Sequence, residues 1–478
     1  MSQKIYNTLS GQKESIKKEG KINLFVCGPT VYDYSHIGHA RTYIAFDIIV
    51  RYLKSKGWNI FYLQNITDVD DKIINKAQKQ NRSPLEVAKE FENAYLDDMK
   101  KLGINSVDRY ARVRNFIPEL INQVNQLLKK GFAYETEKGI YFKVEKFKDY
   151  GKLSGQDIDN LEPAERTKKD EAKKDPRDFV IWKIRQKEIE NTNQKSGEKR
   201  KIVNGEPLWN SPWGWGRPGW HIEDTAITES FFGPQYDLHG GAEDLKFPHH
   251  ESEIALQESA SGKKPFVKIW MHAGHLTIEG EKMSKSLNNF ITIRDFLEDY
   301  SPEVLRWIVL SNHYRSKLDY TPQIANQAKK SLKTIKEFVR KLNLIKEKGE
   351  RRGNTNEVTQ EIQKTNQKIE KRMKNDFNTP EALSDIFELI DKFQKDIWKL
   401  NRKEAKKIKE FIQNKFSVFG FDLELNKTPK ETRKLAKKRE EMRKKENFEK
   451  ADELRNKIEK LGYEVEDTPL GPLLSKKQ

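Results

Sequence analysis

Two histidines one helical turn apart, His36 and His39, have the types and spacing to do chemistry. They enclose Ile37 and Gly38, just after a strand-like run and at the start of a helical pattern. A helix N-terminus offers unpaired N–H groups and a partial positive charge to a phosphate. Gly38 lets a nucleotide approach the backbone, and both histidines could donate to a phosphate whose charge grows during reaction. Taken alone, the tetrapeptide is equally compatible with histidines of a packed core.

A second candidate segment is Lys282-Met283-Ser284-Lys285-Ser286, which follows the glycine-containing loop at residues 279–281. Two lysines on such a loop could neutralise the β- and γ-phosphates of a leaving pyrophosphate. In isolation the segment also fits ordinary solvated loop charge.

Cys27 is the single cysteine of the chain, so no internal disulfide is possible. A lone cysteine is more often a small buried apolar residue than a ligand. Whether Cys27 is a ligand therefore depends on the residues around it.

The elements that must position these residues follow from apolar runs and breakers. Ile22–Val26 is a buried strand that ends before Gly28 and Pro29, and Asn59–Leu63 is a second strand. Ser35 is expected to cap a helix between them, from Ile37 to Lys54, with Gly57 as its stop. Strand, turn, helix and strand in this order predict a parallel, nucleotide-binding sheet.

Later segments continue the alternation of helix and strand as far as Asp319, after which helical patterns dominate. The stretch from Ser83 to Gly131 has a helical pattern, and strand-like pieces at Tyr236–His239 and Val267–His272 suggest the second half of an interrupted sheet. After Asp319 the pattern is almost wholly helical, and all nine histidines lie before that point. We expect chemistry in the first two thirds of the chain and a binding role in the last third.

Composition bounds the class of protein. The 478 residues predict two to four domains, and a net charge of +17 is typical of a protein with a polyanionic partner or of a solubilising surface. No apolar run approaches the ~20 residues that span a bilayer. Residues 1–20 lack the apolar core of a signal peptide, so we expect a cytoplasmic protein with no membrane partner.

The two segments that could bind phosphate are residues 36–39 and 282–286. In this order, on a chain that alternates strand and helix, they resemble the class I aminoacyl-tRNA synthetases. Four further segments are similar to the cysteinyl-tRNA synthetase family: residues 25–33 (FVCGPTVYD), 65–72 (NITDVDDK), 219–223 (GWHIE) and 247–251 (FPHHE). The similarity extends from about residue 22 to the end. The resemblance implies a Rossmann-type α/β catalytic domain with an insertion, a helical anticodon-binding domain and a small C-terminal module. It also implies activation of L-cysteine with ATP and its transfer to tRNA-Cys, with Mg²⁺ accompanying ATP, by a monomer.

In that family a zinc ion binds the substrate thiolate, which separates cysteine from serine better than size alone. The family's ligands, two cysteines, a histidine and a glutamate, correspond here to Cys27, Asp224, His249 and Glu253. Asp224 departs from the family because a second cysteine is usual there. Either one zinc per chain persists with Asp224 bound, or the metal is lost and Asp224 bonds the substrate directly. Aspartate is an accepted zinc ligand, which favours the first alternative.

The resemblance also assigns the remaining site residues. The expected catalytic residues are His36, His39, Lys282 and Lys285. The expected ATP-binding residues are Gly28, Thr30, His36, Gly38, His39, Gly240, Gly241, Lys282, Met283, Ser284, Lys285 and Ser286. The expected cysteine-binding residues are Cys27, Thr67, Trp220, His239 and Asp244, with Trp220 as a wall and Asp244 for the ammonium group.

The expected domain boundaries place the catalytic halves at 1–105 and 211–275, an insertion at 106–210 and a linker with the lysine segment at 276–320. The helical domain is expected at 321–415 and the basic module at 416–478. Two alternatives stay open: a ligase that passes cysteinyl-adenylate to an amino sugar, and a non-catalytic tRNA-binding paralogue. The basic helical tail argues against the first, and intact His36, His39, Lys282 and Lys285 argue against the second.

Overall fold

The computed structural model describes residues 2–156, 171–185, 199–203, 205–284, 287, 289–348, 355–423 and 428–477. Its strands are β1 (Ser2–Asn7), β2 (Gln12–Lys17), β3 (Lys21–Val26), β4 (Asn59–Ile66), β5 (Arg109–Arg112), β6 (Ala133–Thr136), β7 (Gly139–Phe142), β8 (Phe179–Ile184), β9 (Arg200–Val203), β10 (Glu206–Ser211), β11 (Gly214–Pro218), β12 (Tyr236–Ala242), β13 (Val267–Ala273), β14 (Leu276–Ile278), β15 (Glu281–Lys282), β16 (Leu318–Tyr320), β17 (Tyr463–Thr468) and β18 (Gly471–Lys476). Its α-helices are α1 (Ile37–Ser55), α2 (Asp71–Gln80), α3 (Pro84–Lys101), α4 (Ile117–Lys129), α5 (Ile222–Phe232), α6 (Glu251–Ser261), α7 (Ile293–Asp299), α8 (Pro302–Leu310), α9 (Pro322–Lys348), α10 (Thr355–Lys374), α11 (Thr379–Gln394), α12 (Arg402–Val418), α13 (Lys430–Lys444) and α14 (Phe448–Lys460).

The chain divides into two compact units. The first comprises residues 1–302, 312–321 and 375–377, and the second comprises 303–311, 322–374 and 378–478. In neither unit does a described helix have the length and apolarity required to cross a membrane.

A five-stranded parallel sheet forms the centre of the first unit, with the order β13-β12-β3-β4-β5. Two consecutive runs of strands, β3-β4-β5 and β12-β13, therefore extend in opposite directions from the β3/β12 pair. This is the strand order of a doubly wound sheet, whose ligands bind beyond the carboxyl ends of the strands where the order reverses. The β3/β12 junction, with Phe25 opposite His239, thus marks where a site is expected.

The strand predictions at Ile22–Val26, Asn59–Leu63, Tyr236–His239 and Val267–His272 are confirmed, and each strand extends further by one to three residues. The nearly unbroken burial of β3 is typical of a parallel strand covered on both faces. The helical prediction for 83–131 is wrong at β5, which pairs with β4 as the sheet edge. The segment 106–210, expected as an insertion, therefore begins with a strand of the catalytic sheet. β5 has only four residues, too few for a periodicity to be recognised.

Between β5 and β12, six strands form an antiparallel sheet with the order β6-β7-β8-β11-β10-β9. Its buried residues, such as Trp182 and Phe142, belong to the same apolar core as Phe25 and Trp270 of the parallel sheet. Strand β11 leads directly into α5, so the insertion fixes the position of the segment that carries Trp220 and Asp224.

The second unit is mainly helical: α9 packs on α12, and α10 packs on α11. Its last part pairs α13 with α14, and the β17–β18 hairpin follows them. The expectation of an almost wholly helical tail is confirmed for the described residues between 322 and 460 and is wrong for this terminal hairpin.

Candidate active site and metal centre

Helix α1 begins in a reciprocal capping arrangement made by two histidines. The backbone N–H of His39 donates to Nδ1 of His36 at 3.3 Å, and the N–H of His36 donates to Nδ1 of His39 at 3.4 Å. The N-cap is therefore His36 and not Ser35, which corrects the sequence prediction. An imidazole took the place of the expected hydroxyl because its Nδ1 lone pair reaches the same orphan N–H groups.

This arrangement also fixes the protonation of His39. Burial lowers the pKa of His39 well below its usual value, and the neighbouring His36 and Lys72 lower it further. A neutral imidazole whose Nδ1 accepts a hydrogen bond carries its proton on Nε2. His39 thus has an Nε2–H donor at the positive end of α1, a geometry that suits a phosphate oxygen.

The lysine segment lies next to these histidines. A Cβ atom added to Gly38 would lie 2.9 Å from the His36 ring and 3.3 Å from Cε of Met283, so only glycine fits between them. Ser284 N–H donates to Asn289 Oδ1 at 2.8 Å, which ties the segment back on itself. Lys282 is exposed, whereas Lys285 and Ser286 lie outside the described residues.

Gly28 and Thr30 follow β3 and run beside the end of β4. The N–H of Val31 donates to the carbonyl of Thr67 at 3.1 Å, and Thr67 N–H donates to the carbonyl of Pro29 at 3.2 Å. A side chain at Gly28 would overlap the carbonyl oxygen of Asn65. This close approach brings Thr67 to the carboxyl end of β3, next to Cys27.

Thr67 connects this edge of the sheet to α5. Its hydroxyl donates to Oε2 of Glu223 at 3.0 Å, and both side chains are buried. Burial raises the pKa of Glu223, and the adjacent Asp224 raises it further. Glu223 thus fixes the first turn of α5, in which Asp224 is the next residue.

Four buried donors, Cys27, Asp224, His249 and Glu253, converge at the carboxyl end of β3. The Cys27 thiol donates to Asp224 Oδ2 at 3.3 Å and lies 3.9 Å from Glu253 Oε1. Nε2 of His249 lies 3.2 Å from Asp224 Oδ2 and 3.1 Å from Glu253 Oε1. The structure therefore brings together the four residues that the sequence assigned to a metal.

The spacing of these donors fits a tetrahedral ion. With metal–ligand bonds of about 2.0–2.3 Å, neighbouring donors lie about 3.3–3.7 Å apart, close to the distances observed. Asp224 Oδ1 and Glu253 Oε2 are fully buried and, within the described part of the chain, have no hydrogen-bond partner. Two buried carboxylates beside a thiol call for a cation, since an uncompensated buried charge is costly. The residues present fit zinc.

Electrostatics in this cluster favour protons on Cys27 and Glu253 until a cation compensates them. Burial raises the pKa of the Cys27 thiol well above its usual value, and Asp224 and Glu253 raise it further. Burial also raises the pKa of Glu253, with a further contribution from Asp224. Both carboxylates lie in the first turn of their helices, α5 and α6, where a negative charge is stabilised.

Trp220 covers one side of the cluster. Its indole is parallel to the His249 imidazole, with ring centroids 4.1 Å apart and an interplanar angle of 9°. Trp220 is 40% exposed, so it separates the buried donors from solvent. Asp244, expected to hold an ammonium group, is exposed in the short helical turn Glu243–Leu245.

His239, Gly240 and Gly241 lie in β12, beside β3. A side chain at Gly240 would overlap the ring of Phe46 on α1, so this glycine lets the helix pack against the sheet. A Cβ at Gly241 would lie 2.6 Å from Cε1 of His250. His239 is buried and stacks on Trp270, with centroids 4.1 Å apart.

Comparisons with known proteins give two family matches. Residues 13–330 match the model for the class I (C) tRNA synthetase catalytic domain, and residues 368–424 match the DALR domain model. The first match includes all the candidate site residues described above.

Full-length relatives decide the family. A cysteine–tRNA ligase of Thermococcus onnurineus is 42% identical, and the similarity covers 99% of this chain and 99% of that protein. One from Thermoplasma volcanium is 42% identical over 97% of each chain, and one from Methanococcus maripaludis is 39% identical over 98% and 97%. The chain belongs to the cysteine–tRNA ligase family. This places it among the class I aminoacyl-tRNA ligases.

Solved structures agree with this assignment at the level of the fold. Methionyl-tRNA synthetase of Mycobacterium tuberculosis, in complex with methionyl-adenylate, has a TM-score of 0.58 at 14% identity and covers 84% of this chain and 90% of its own. The Rossmann-type fold expected from the sequence is thereby confirmed.

In this member of the cysteine–tRNA ligase family, the buried residues Glu223 and His250 and the half-buried His221 received no role from the sequence. His221, Glu223 and His250 lie in the GWHIE and FPHHE segments that carried the resemblance, but spacing alone did not separate them from core residues. His221 Nδ1 lies 3.0 Å from His249 Nδ1, so it orients the ring of a candidate ligand. The available signal was a further histidine near two of the predicted ligands: His250 follows His249, and His221 lies three residues before Asp224.

Proposed function

We propose that the protein activates L-cysteine with ATP and transfers it to tRNA-Cys, and that a zinc centre at Cys27, Asp224, His249 and Glu253 selects the thiol. The observation that carries the proposal is the convergence of these four buried donors, covered on one side by Trp220. When bound, zinc would supply a bond that favours the substrate thiolate over the hydroxyl of serine.

The residues around the centre hold and orient its donors. Thr67 and Glu223 fix the start of α5 and thereby Asp224, while His221 fixes the ring orientation of His249. Trp220 limits the access of water to His249. With Asp224 in place of the family's second cysteine, the centre would have one thiolate and two carboxylates. This donor set is harder than the two thiolates and one carboxylate usual in the family.

At the proposed ATP site, the residues of the chain would act by binding and positioning ATP and cysteine. The N-terminus of α1 and the Nε2–H of neutral His39 would donate to the α-phosphate, where negative charge grows as the carboxylate of cysteine attacks. Lys282 and Lys285 would neutralise the leaving pyrophosphate, and Mg²⁺ is expected to accompany ATP. Gly28, Thr30, Gly38, Gly240 and Gly241 are the further proposed contacts to the nucleotide, which their backbone groups would make, because protein atoms fill the space beside each of the four glycines.

The basic helices of the second unit support an RNA acceptor. Helix α13 alone carries the sequence KETRKLAKKREEMRK, and such helices bind phosphates with salt-dependent affinity. The DALR match in this unit and the full-length relatives also support tRNA over an amino sugar as the acceptor. A monomeric state and a cytoplasmic location remain predictions.

The decisive experiment is cysteine-dependent ATP–pyrophosphate exchange by the full chain, followed by charging of tRNA-Cys. We expect both activities, with serine a poor substrate for exchange and about one zinc per chain in freshly purified protein. Exchange without charging would favour the amino-sugar ligase. Binding of tRNA without exchange would favour a non-catalytic paralogue, and active protein without zinc would refute the metal centre alone.

Asp224→Ala tests the selection step. We expect it to increase the relative use of serine in the exchange reaction more than it raises the KM for ATP. Unchanged discrimination against serine would mean that Asp224 has no part in the selection of the thiol.

A further inference from the structure

Two histidines outside the proposed ligand set, His239 and His250, also direct Nε2 toward Cys27. Nε2 of His250 lies 3.1 Å from the sulfur, and Nε2 of His239 lies 3.4 Å from it. Nε2 of His239 is also 3.6 Å from Glu253 Oε2, the buried oxygen without a hydrogen-bond partner in the described residues. Cys27, His239, His250 and Glu253 thus form a second group of donors within 4.8 Å of one another.

The opposite ring nitrogens of these histidines are both held by other side chains. Nδ1 of His239 lies 2.7 Å from the hydroxyl of Tyr236, and Nδ1 of His250 lies 2.8 Å from Nε2 of His272. Histidines that bind metals characteristically have Nδ1 or Nε2 fixed in this way by an outer partner. His249, whose Nδ1 is held by His221, has the same arrangement.

We propose that Cys27, His239, His250 and Glu253 form an alternative coordination position for the same metal ion, which retains it when Asp224 is not bound. This inference rests on the proposed zinc centre and extends it. The two donor groups share Cys27 and Glu253, so they hold one ion between them. The alternative group has His239 and His250 in place of Asp224 and His249, so it exchanges one carboxylate for a second imidazole, a donor well suited to zinc.

The consequence is a division of roles in this chain. Retention of the metal depends on Cys27, Glu253 and the three histidines, whereas Asp224 acts in the selection of the thiol. Substitution of a ligand usually releases the metal, but Asp224→Ala is expected to keep it.

The test compares Co²⁺ binding by metal-depleted wild type, Asp224→Ala and the double variant Asp224→Ala/His250→Asn. Asparagine places an amide near the position of Nδ1, which keeps the contact to His272 while removing the Nε2 donor. Asp224→Ala/His272→Gln is the matched control, since the glutamine amide lies near the position of Nε2 and keeps the contact to Nδ1 of His250, so that a buried histidine of the same cluster changes while every proposed ligand stays. Visible absorption reports Co²⁺ bound to sulfur, and circular dichroism checks the fold.

We expect wild type, Asp224→Ala and the control each to bind one Co²⁺, and the His250 double variant to bind about 100-fold more weakly or not at all. X-ray absorption of zinc-loaded protein gives an independent measurement: one imidazole in wild type and two in Asp224→Ala. Folded Asp224→Ala that binds no metal, or that keeps a single imidazole, would overturn the inference. Failure of wild type to bind metal would instead overturn the zinc centre itself.

Discussion

The indole of Trp220 lies parallel to the imidazole of His249, 4.1 Å away between ring centroids. This contact places an aromatic wall against a candidate metal ligand, so that one residue both limits solvent access and fixes a donor. Stacked aromatic pairs contribute about 0.5–1.5 kcal/mol beyond the area they bury.

We therefore expect Trp220→Ala to raise the KM for cysteine in the exchange reaction by about 2- to 10-fold, the range that this stacking energy implies. Trp220→Phe preserves a ring over His249 and should lie close to wild type. The KM for ATP serves as the internal control. Equal changes in both KM values would indicate a general distortion of the site.

His39 combines a capping role with a proposed catalytic one, and two substitutions separate them. His39→Asn keeps a polar atom near Nδ1 and removes Nε2, so the helix should stay capped while kcat for adenylate formation falls about 10²- to 10³-fold. His39→Ala should show the same loss of activity and lose about 1 kcal/mol of stability as well. Wild-type kcat in folded His39→Asn would exclude Nε2 from the chemistry.

Asp224 is the position where the chain departs from its family, and the family residue can be restored. Asp224→Cys should bind zinc more tightly, because a thiolate suits zinc better than a carboxylate. Competition with a chromophoric chelator measures the change, with Asp224→Asn as a variant of similar size and weaker donor strength. If Asp224→Cys released zinc more readily than wild type, position 224 would not face the metal.

Gly240 is expected to be required for the packing of α1 on the sheet. Gly240→Ala should lose about 1–3 kcal/mol of stability, because the added methyl group overlaps the ring of Phe46. Phe46→Leu should restore part of that loss, so that the double variant is more stable than the sum of the single variants predicts. Urea unfolding of the four proteins measures this coupling, and strict additivity would contradict the overlap.

Asp71 links α2 to the inserted sheet and predicts a dependence on pH. Burial would raise the pKa of Asp71, but the guanidinium of Arg217 and the ammonium of Lys183 outweigh it and lower the pKa to about 2. A carboxyl whose pKa is lower in the folded chain stabilises it above the unfolded pKa, and this contribution disappears as the pH falls through the folded value.

Asp71→Asn should accordingly reduce the free energy of unfolding at pH 7, and its difference from wild type should shrink as the pH falls from about 4 toward 2. Chemical denaturation between pH 7 and pH 3 gives the comparison. A difference that grew on acidification would mean that the ion pairs with Arg217 and Lys183 do not form.

The sequence predicted β3, α1 and β4, the first elements of the parallel sheet, well because these elements are long and their patterns are unambiguous. Helix α1 and the strand that follows it were found within a few residues, since apolar runs and breakers define both. Local capping was less predictable, because His36 is an uncommon N-cap and Ser35 has the usual hydroxyl. The residues Asn375–Phe377 belong to the first unit although their neighbours are helices of the second, which no local pattern reveals.

Prediction of the site depended on a different kind of information. His249 and Glu253 are one helical turn apart, so their proximity follows from spacing. Cys27 and Asp224 are separated by 197 residues, and their contact was expected only from family resemblance. Nothing in the order of residues indicated that the Nε2 atoms of His239 and His250 would point at the same sulfur, because ring orientation depends on Tyr236 and His272 in the folded core.

The two halves of the parallel sheet meet at β3 and β12, and this arrangement has a consequence for synthesis of the protein. Cys27 leaves the ribosome early, but its carboxylate and imidazole partners follow only after the six-stranded insertion has been made. A nascent chain that ends before His249 therefore lacks at least two of the four proposed ligands, and its thiol stays without them throughout that interval. Capture of the metal would thus mark the moment at which the catalytic unit closes.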